Sequence, residues 1–512
     1  MKKYPSPTKN KCLAFSLTLG AVLALTACGG GTDSLACGTC GPIVLSSNLL
    51  VSRTVYVGSK STVSVGQALP GGGVAIADGT FPNVFTNETP DASFGVSSPI
   101  YLDQLTSTGA LIRSIPVDPA LITTSFASKS ELALNLSADQ SAVTFMGYKA
   151  AVNQLDVSNS NTAAVLDSTN PVTTTYPRVV AQFNLSSGAV AVTNVNAYSG
   201  NNGRAAVLVG GNYYMVGNAG NGSGDGAMLS ALSDNTGVQM ISASSTTGNS
   251  TVVGVVNGAF GSATGYQRGF SLAQLADPAN PGKNYAADKT GKDNNFRGMT
   301  VFNNTLYVTK GSGSNGVNTV YQVGAAGALA SGSLSAAAPI TILPGFNALS
   351  EKVAEAKATL TATPHPFGIW FADANTLFVA DEGDGVRIGV AGKVSSFAGL
   401  QEYKLVNGVW KLAATFQKGL LDQTAAVPTG LTWKVQTDGL RNIAGKRNSD
   451  GSFTIYATTS TVSDETTHDL GGDPNELVSI TVDAASTSTS VSFTVLKTSV
   501  AGERFGGVAY KP

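Results

Sequence analysis

Six residues carry the chemistry that this chain repeats most regularly: Lys129, Arg204, Arg297, His365, Arg441 and Arg504. Each stands just ahead of a short run of β-branched or aromatic residues, and such runs recur along the whole chain. Lys and Arg together number only 31, so one basic or ionisable residue at each of these places is a pattern rather than background. Brought together, they would focus positive charge on one spot. Arg offers a two-pronged donor fork, so the spot would suit a carboxylate, sulfate or phosphate. The competing reading is structural: each cation pairs with a carbonyl or with a loop carboxylate such as Asp225, Asp381, Glu382, Asp384, Asp469 or Asp473.

The acids suggest a second chemistry. Asp381-Glu-Gly-Asp384-Gly and His468-Asp469-Leu-Gly-Gly-Asp473-Pro-Asn-Glu476 are rich in oxygen and form turns, as calcium loops do. Asp381, Asp384, Asp469 and Asp473 are therefore candidate metal ligands, with calcium the candidate cofactor. Neither loop has EF-hand spacing, and Asp and Gly are ordinary turn formers. His365 and His468 are the only histidines, which argues against a multi-histidine metal centre. No G-x-S-x-G elbow, Walker A loop or H-E-x-x-H motif occurs. His365 lies between Pro364 and Pro366, a rigid setting that suits a general base or a fixed turn. A binding module for an anionic ligand, a glycan or a protein partner is the leading reading, without catalysis. A metal-assisted hydrolase of lactonase or esterase type, using Asp381, Asp473 and His365, is the alternative. A structural part of the cell envelope is the third.

These residues need a scaffold, and the chain reads as strands grouped in fours. The groups are Glu131–Leu136, Ala142–Tyr148, Arg178–Asn184 and Ala189–Val195; then Ala205–Val209, Tyr213–Gly217, Val238–Ala243 and Thr251–Val256; then Gly298–Phe302, Thr305–Thr309, Thr319–Val323 and Ile340–Leu343; then Gly368–Phe371, Thr376–Ala380, Leu400–Leu405 and Val409–Phe416; then Asn442–Lys446, Phe453–Thr458, Glu476–Val482 and Ser492–Lys497. Asn83–Thr86, Ile100–Leu105 and Ala110–Val117 lack a fourth, and the final run Gly506–Tyr510 supplies it. One helix is expected at Leu349–Leu360. The stretch from Pro366 through Asp381 to Ile388 (PFGIWFADANTLFVADEGDGVRI) resembles an NHL-type propeller repeat, and Phe296–Thr309 (FRGMTVFNNTLYVT) repeats its first half. The resemblance implies an all-β chain folded as a single β-propeller over 49–512. Six blades are expected, seven being the other option, with the C-terminal strand closing the ring and removing the open sheet edge. The basic residues would then circle the mouth of the central channel, on the face that bears the long loops.

The chain opens with Lys2, Lys3, Lys9 and Lys11 and no acid through residue 11, then the apolar run Cys12–Thr26, which is too short to span a bilayer. Leu25-Thr26-Ala27-Cys28 resembles a lipobox, which implies a lipoprotein signal peptide over 1–27 and acylation of Cys28, palmitate included, with the bilayer as partner. Gly29 after the cysteine is similar to the outer-membrane sorting pattern, so an outer-membrane lipoprotein facing the periplasm or the cell surface is expected. Residues 28–48 form a Gly-rich tether. In an exported chain its Cys37 and Cys40 read as a small disulfide loop. No cysteine follows Cys40, so the body has no thiolate chemistry. A net charge of −1 gives no global field for nucleic acid. Only 12% of residues are charged, about half the usual ~25%, so Ser, Thr, Asn and Gly must supply the polar surface.

Overall fold

A computed structural model describes residues 47–87, 94–220, 225–352, 363–386, 395–421, 430–464 and 469–511. Six four-stranded antiparallel sheets dominate them. The second to sixth blades are made in chain order from consecutive strands. They are Asn135–Leu136, Ala142–Tyr148, Arg178–Asn184 and Val190–Val195; Gly203–Val209, Asn212–Gly217, Gly237–Ser242 and Thr251–Val253; Met299–Phe302, Thr305–Lys310, Thr319–Val323 and Ile340–Ile342; Pro366–Asp373, Thr376–Asp381, Gly399–Val406 and Val409–Phe416; and Val435–Arg447, Phe453–Ser463, Glu476–Val482 and Thr494–Thr498. The first strand of each sheet touches the first strands of the sheets on either side, and these contacts run around a closed circle. The chain is a six-bladed β-propeller.

The first blade closes the ring, with one correction to its strands. Its innermost strand is the C-terminal Glu503–Tyr510, which pairs with Asn48–Val55, and that strand pairs in turn with Ile100–Thr106 and Leu111–Pro116. Asn83–Thr86, expected among the strands of this blade, is not one of them. Asn83–Asn87 is instead a 3-10 helix. Its Phe85 stacks with Phe126 and meets Tyr56 edge-on, inside an aromatic cluster that also holds Phe81. Burying that ring stabilises the turn more than an exposed edge strand could, about 1.5–3 kcal/mol for one such side chain. The expected helix at Leu349–Leu360 falls mostly outside the described residues. Among the described residues Gly226–Ser233 forms an α-helix, capped by the Asp225 carboxylate, which accepts from the backbone N–H groups of Ala227 and Met228.

Neighbouring blades are riveted by side-chain hydroxyls. Ser52, Thr144, Thr309 and Thr458 sit on second strands and donate to the carbonyls of Leu132, Ala206, Phe367 and Gly506 near the first strand of the next blade. Between the blades lie apolar layers, such as Trp370, Phe378 and Phe453, or Phe302, Phe371 and Trp410. Among the described residues no helix is long and apolar enough to cross a membrane.

Candidate functional site

The first strands leave a polar cavity of about 480 Å³ at one end of the central channel. Lys129, Arg204, Arg297, His365 and Arg441 all line it, and Arg504 stands behind its wall, donating to the carbonyls of Ser128 and Lys129. The long loops of the same face contribute Asn218, Ser312, Glu382, Asp384, Asp469 and Leu470. Backbone irregularities aim two of the arginines. Arg204 stands at a register shift between Gly203 and Ala205, and Arg441 at one between Leu440 and Ile443. A bulge turns a side chain out of the regular alternation, here toward the channel. Arg441 therefore lies inside a strand that starts at Val435, not just ahead of one.

The six differ in their partners. Arg441 donates through Nε to Glu382 Oε2 at 3.2 Å, and neither Nη1 nor Nη2 bonds to a described residue. Arg297 bonds only to neutral oxygens, from Nε to Ser312 Oγ at 2.9 Å and from Nη1 to Ser130 Oγ at 2.6 Å, which ties the fourth blade to the second. Arg204 donates through Nε to Asn202 Oδ1 and through Nη1 to Asn295 Oδ1 and the Phe296 carbonyl, leaving Nη2 unused. The buried Nε of Arg504 makes no hydrogen bond. His365 Nε2 lies 4.0 Å from Glu351, and its buried Nδ1 has no partner. So the structural pairing applies to Arg441, while Arg204, Arg297 and Arg504 are held by neutral groups.

Electrostatics follow from this crowding. Burial pushes the Arg504 guanidinium down to about 9, with Arg441 adding to the effect. It pushes the Lys129 ammonium down to about 8, and it lowers Arg204 and Arg297 as well. Burial alone would raise the Glu382 carboxyl, but Arg297, Arg441, His365 and Lys129 together outweigh it and hold Glu382 below its ordinary value. Asp438 goes the other way. Burial and the neighbouring acids Asp384, Glu382 and Asp381 hold it well above, against one N–H donated by Gly385. Lys129, Arg204, Arg297 and Arg441 thus share the cavity wall with Glu382, Asp384, Asp438 and Asp469.

The expected metal ligands do not assemble. Asp381 accepts from the backbone N–H groups of His365 and Gly383 and from Gln401 Nε2, and burial raises it to about 6. Asp384 accepts from Val386 N–H. Asp469 caps a 3-10 turn through Gly471 N–H, and Asp473 accepts from the Trp433 indole. Two separate loops are each folded by their own carboxylates, and among the described residues no three His, Cys, Asp or Glu side chains group as a metal site would need. Cys28, Cys37, Cys40 and His468 lie outside the described residues.

Reading the sequence alone missed Asp438, Asn202 and Asn295. A local signal for the asparagines exists: Asn201-Asn202-Gly203-Arg204 and Asn294-Asn295-Phe296-Arg297 are the same Asn-Asn-x-Arg word in consecutive blades. Gly383 has φ +88°, and a Cβ there would stand 2.4 Å from Asp438 Oδ2, so the loop carrying Glu382 can pass this close only with glycine.

No protein-family profile matches the sequence, and no curated protein is significantly similar to it. Solved structures that resemble the fold include a putative 6-phosphogluconolactonase from Bacteroides uniformis, 10% identical with a TM-score of 0.36, over 88% of this chain and 82% of that one. An acylaminoacyl peptidase from Pyrococcus horikoshii matches with 7% identity and a TM-score of 0.29, over 80% of this chain and 44% of that one. The endosialidase of phage phi92 gives 10% and 0.27, over 83% and 61%. Similarity this low says nothing about what this chain binds.

Proposed function

We propose that this propeller is an extracytoplasmic binding protein that takes an anionic ligand in its central cavity and is held on the outer membrane by acylated Cys28. The observation that carries the reading is Arg441. It is 5% exposed and lines the cavity, yet it spends only Nε on Glu382. Two guanidinium N–H₂ ends are left facing the cavity space, the fork that a carboxylate, sulfate or phosphate accepts bidentately. Arg204 Nη2 adds a third donor. These ends are open to the cavity rather than sealed in the core, so an anion can reach them and form charge-assisted hydrogen bonds. The lipobox supports the anchor, as the asymmetric loop face supports a binding role.

The test is anion binding by calorimetry and thermal shift, with sulfate, phosphate and acetate at low ionic strength. Wild-type protein should bind at least one of them, and the affinity should fall with salt. Arg441→Gln should weaken that binding at least tenfold while the protein stays folded by circular dichroism. Binding that is unchanged in Arg441→Gln would refute the site.

A further inference from the structure

We propose that the ligand of this cavity is a small hydroxylated carboxylic acid of the sugar-acid class, an inference that rests on the anion-binding reading above. Three features of the lining narrow the ligand. First, hydrocarbon is scarce. Among the described lining residues only Ala127, Val462 and Leu470 carry purely apolar side chains, and none is Phe, Tyr or Trp. An aryl acid, a fatty acid or a nucleotide base would find neither stacking surface nor apolar wall, and most small-molecule sites that take such bodies are lined by them. Second, the cavity holds acceptors as well as cations. Glu382 Oε1 and Asp384 Oδ2 make no hydrogen bond to a described residue, and both residues line the space that Arg441 faces. A bare polyanion would be repelled by them. A ligand that presents an acid to the arginine and hydroxyl donors to the carboxylates satisfies both walls at once. Third, Ser and Asn recur around the wall, among them Ser125, Ser312, Asn201 and Asn218, beside several glycines. Hydroxyl and amide groups both donate and accept, as the successive hydroxyls of a sugar acid require. A cavity of about 480 Å³ lies within the ~300–1,000 Å³ typical of small-molecule sites.

The experiment is a calorimetric panel on the full chain: D-glucuronate and D-gluconate as hydroxylated acids, acetate and sulfate as bare anions, D-glucose as the neutral sugar, L-alanine as a zwitterion and benzoate as an aryl acid. Glucuronate or gluconate should bind at least tenfold more tightly than acetate and than glucose. Glu382→Gln should narrow that preference while it strengthens sulfate binding, because a repulsive charge is gone. If acetate or sulfate binds as tightly as both sugar acids, the sugar-acid inference falls and the anion site stands. Tightest binding of alanine or benzoate overturns the inference in the same way. If nothing in the panel binds, the anion-binding reading falls, and the sugar-acid proposal falls with it.

Discussion

Removing the carboxylate at the centre of the cation cluster should destabilise the protein by an amount that can be bounded from its surroundings. Glu382→Gln keeps size and shape and deletes one negative charge. The pair it breaks, Arg441 Nε to Glu382 Oε2 at 3.2 Å, has side chains only 7% and 15% exposed. An exposed pair would contribute under ~1 kcal/mol. Here the partner stays behind in a desolvated site, and breaking buried pairs costs about 3–5 kcal/mol. Arg297 and Lys129 feel the same carboxylate, so the loss is expected near the upper part of that range. The assay is urea unfolding at pH 7 and low ionic strength. Arg441→Gln should lose less, because Arg297, His365 and Lys129 still offset Glu382. The double variant should lose less than both singles together, with a coupling of about 0.5–3 kcal/mol. Added sulfate should stabilise Glu382→Gln more than wild type, as mass action requires of an anion that binds the folded cluster better. A loss below ~1 kcal/mol combined with additive singles would show that the cations do not depend on Glu382, and the electrostatic account of the cavity would be wrong.

Further outcomes follow from other parts of the molecule. Lys292 Nζ is buried against the carbonyls of Ala219 and Gly220, and burial pushes it down to about 7. The unfolded lysine, near 10.4, holds its proton through the range where the folded one has released it, so this residue makes stability rise with pH from about 7 to 10. Lys292→Met should lack that rise, and urea midpoints of the two proteins that stay parallel from pH 7 to 9.5 would refute it. Truncation before Glu503 removes the innermost strand of the first blade and the buried Phe505 and Val508. Burial of those two side chains alone contributes about 3–6 kcal/mol, so the truncated protein should melt well below the full chain or fail to fold, and an unchanged melting temperature would break the closure argument. Mass spectrometry of the membrane fraction should find acylated Cys28 as the mature N-terminus, and Cys28→Ala should release or mis-process the protein; an unmodified N-terminus elsewhere would rule the anchor out.

Much of the architecture was legible because the second to sixth blades are written locally. Each of their strands is a short β-branched or aromatic run bounded by Gly, Asn or Asp, and each pairs with its sequence neighbour, so period and turn signals suffice. The recurrence of one basic residue per blade was legible for the same reason. The first blade was legible only in part: its closure by the C-terminal strand was expected, but its second strand, Asn48–Val55, was not, because Leu49 pairs with Tyr510 at the far end of the chain and nothing local names that partner. Asn83–Thr86 reads as a strand by propensity and lies in a 3-10 turn because its aromatic residue is buried in a cluster.

The residue types alone determined that a cationic ring was available. Only the tertiary structure decided what each cation would meet. Arg297 reaches Ser130 two blades away, Arg204 meets Asn295 of the next blade, and Arg441 takes Glu382. Those distances depend on ring closure and on bulges that turn Arg204 and Arg441 off the regular strand alternation, neither of which leaves a local mark in the sequence. The loop acids went the opposite way from the metal reading because an Asp whose own turn offers backbone N–H groups two residues on satisfies them first, as Asp381 and Asp469 do with Gly383 and Gly471. That preference is local and was readable. What was not readable is that Asp438 and Glu382 would be buried side by side with the cations, because charge, burial and protonation are properties of the assembled channel.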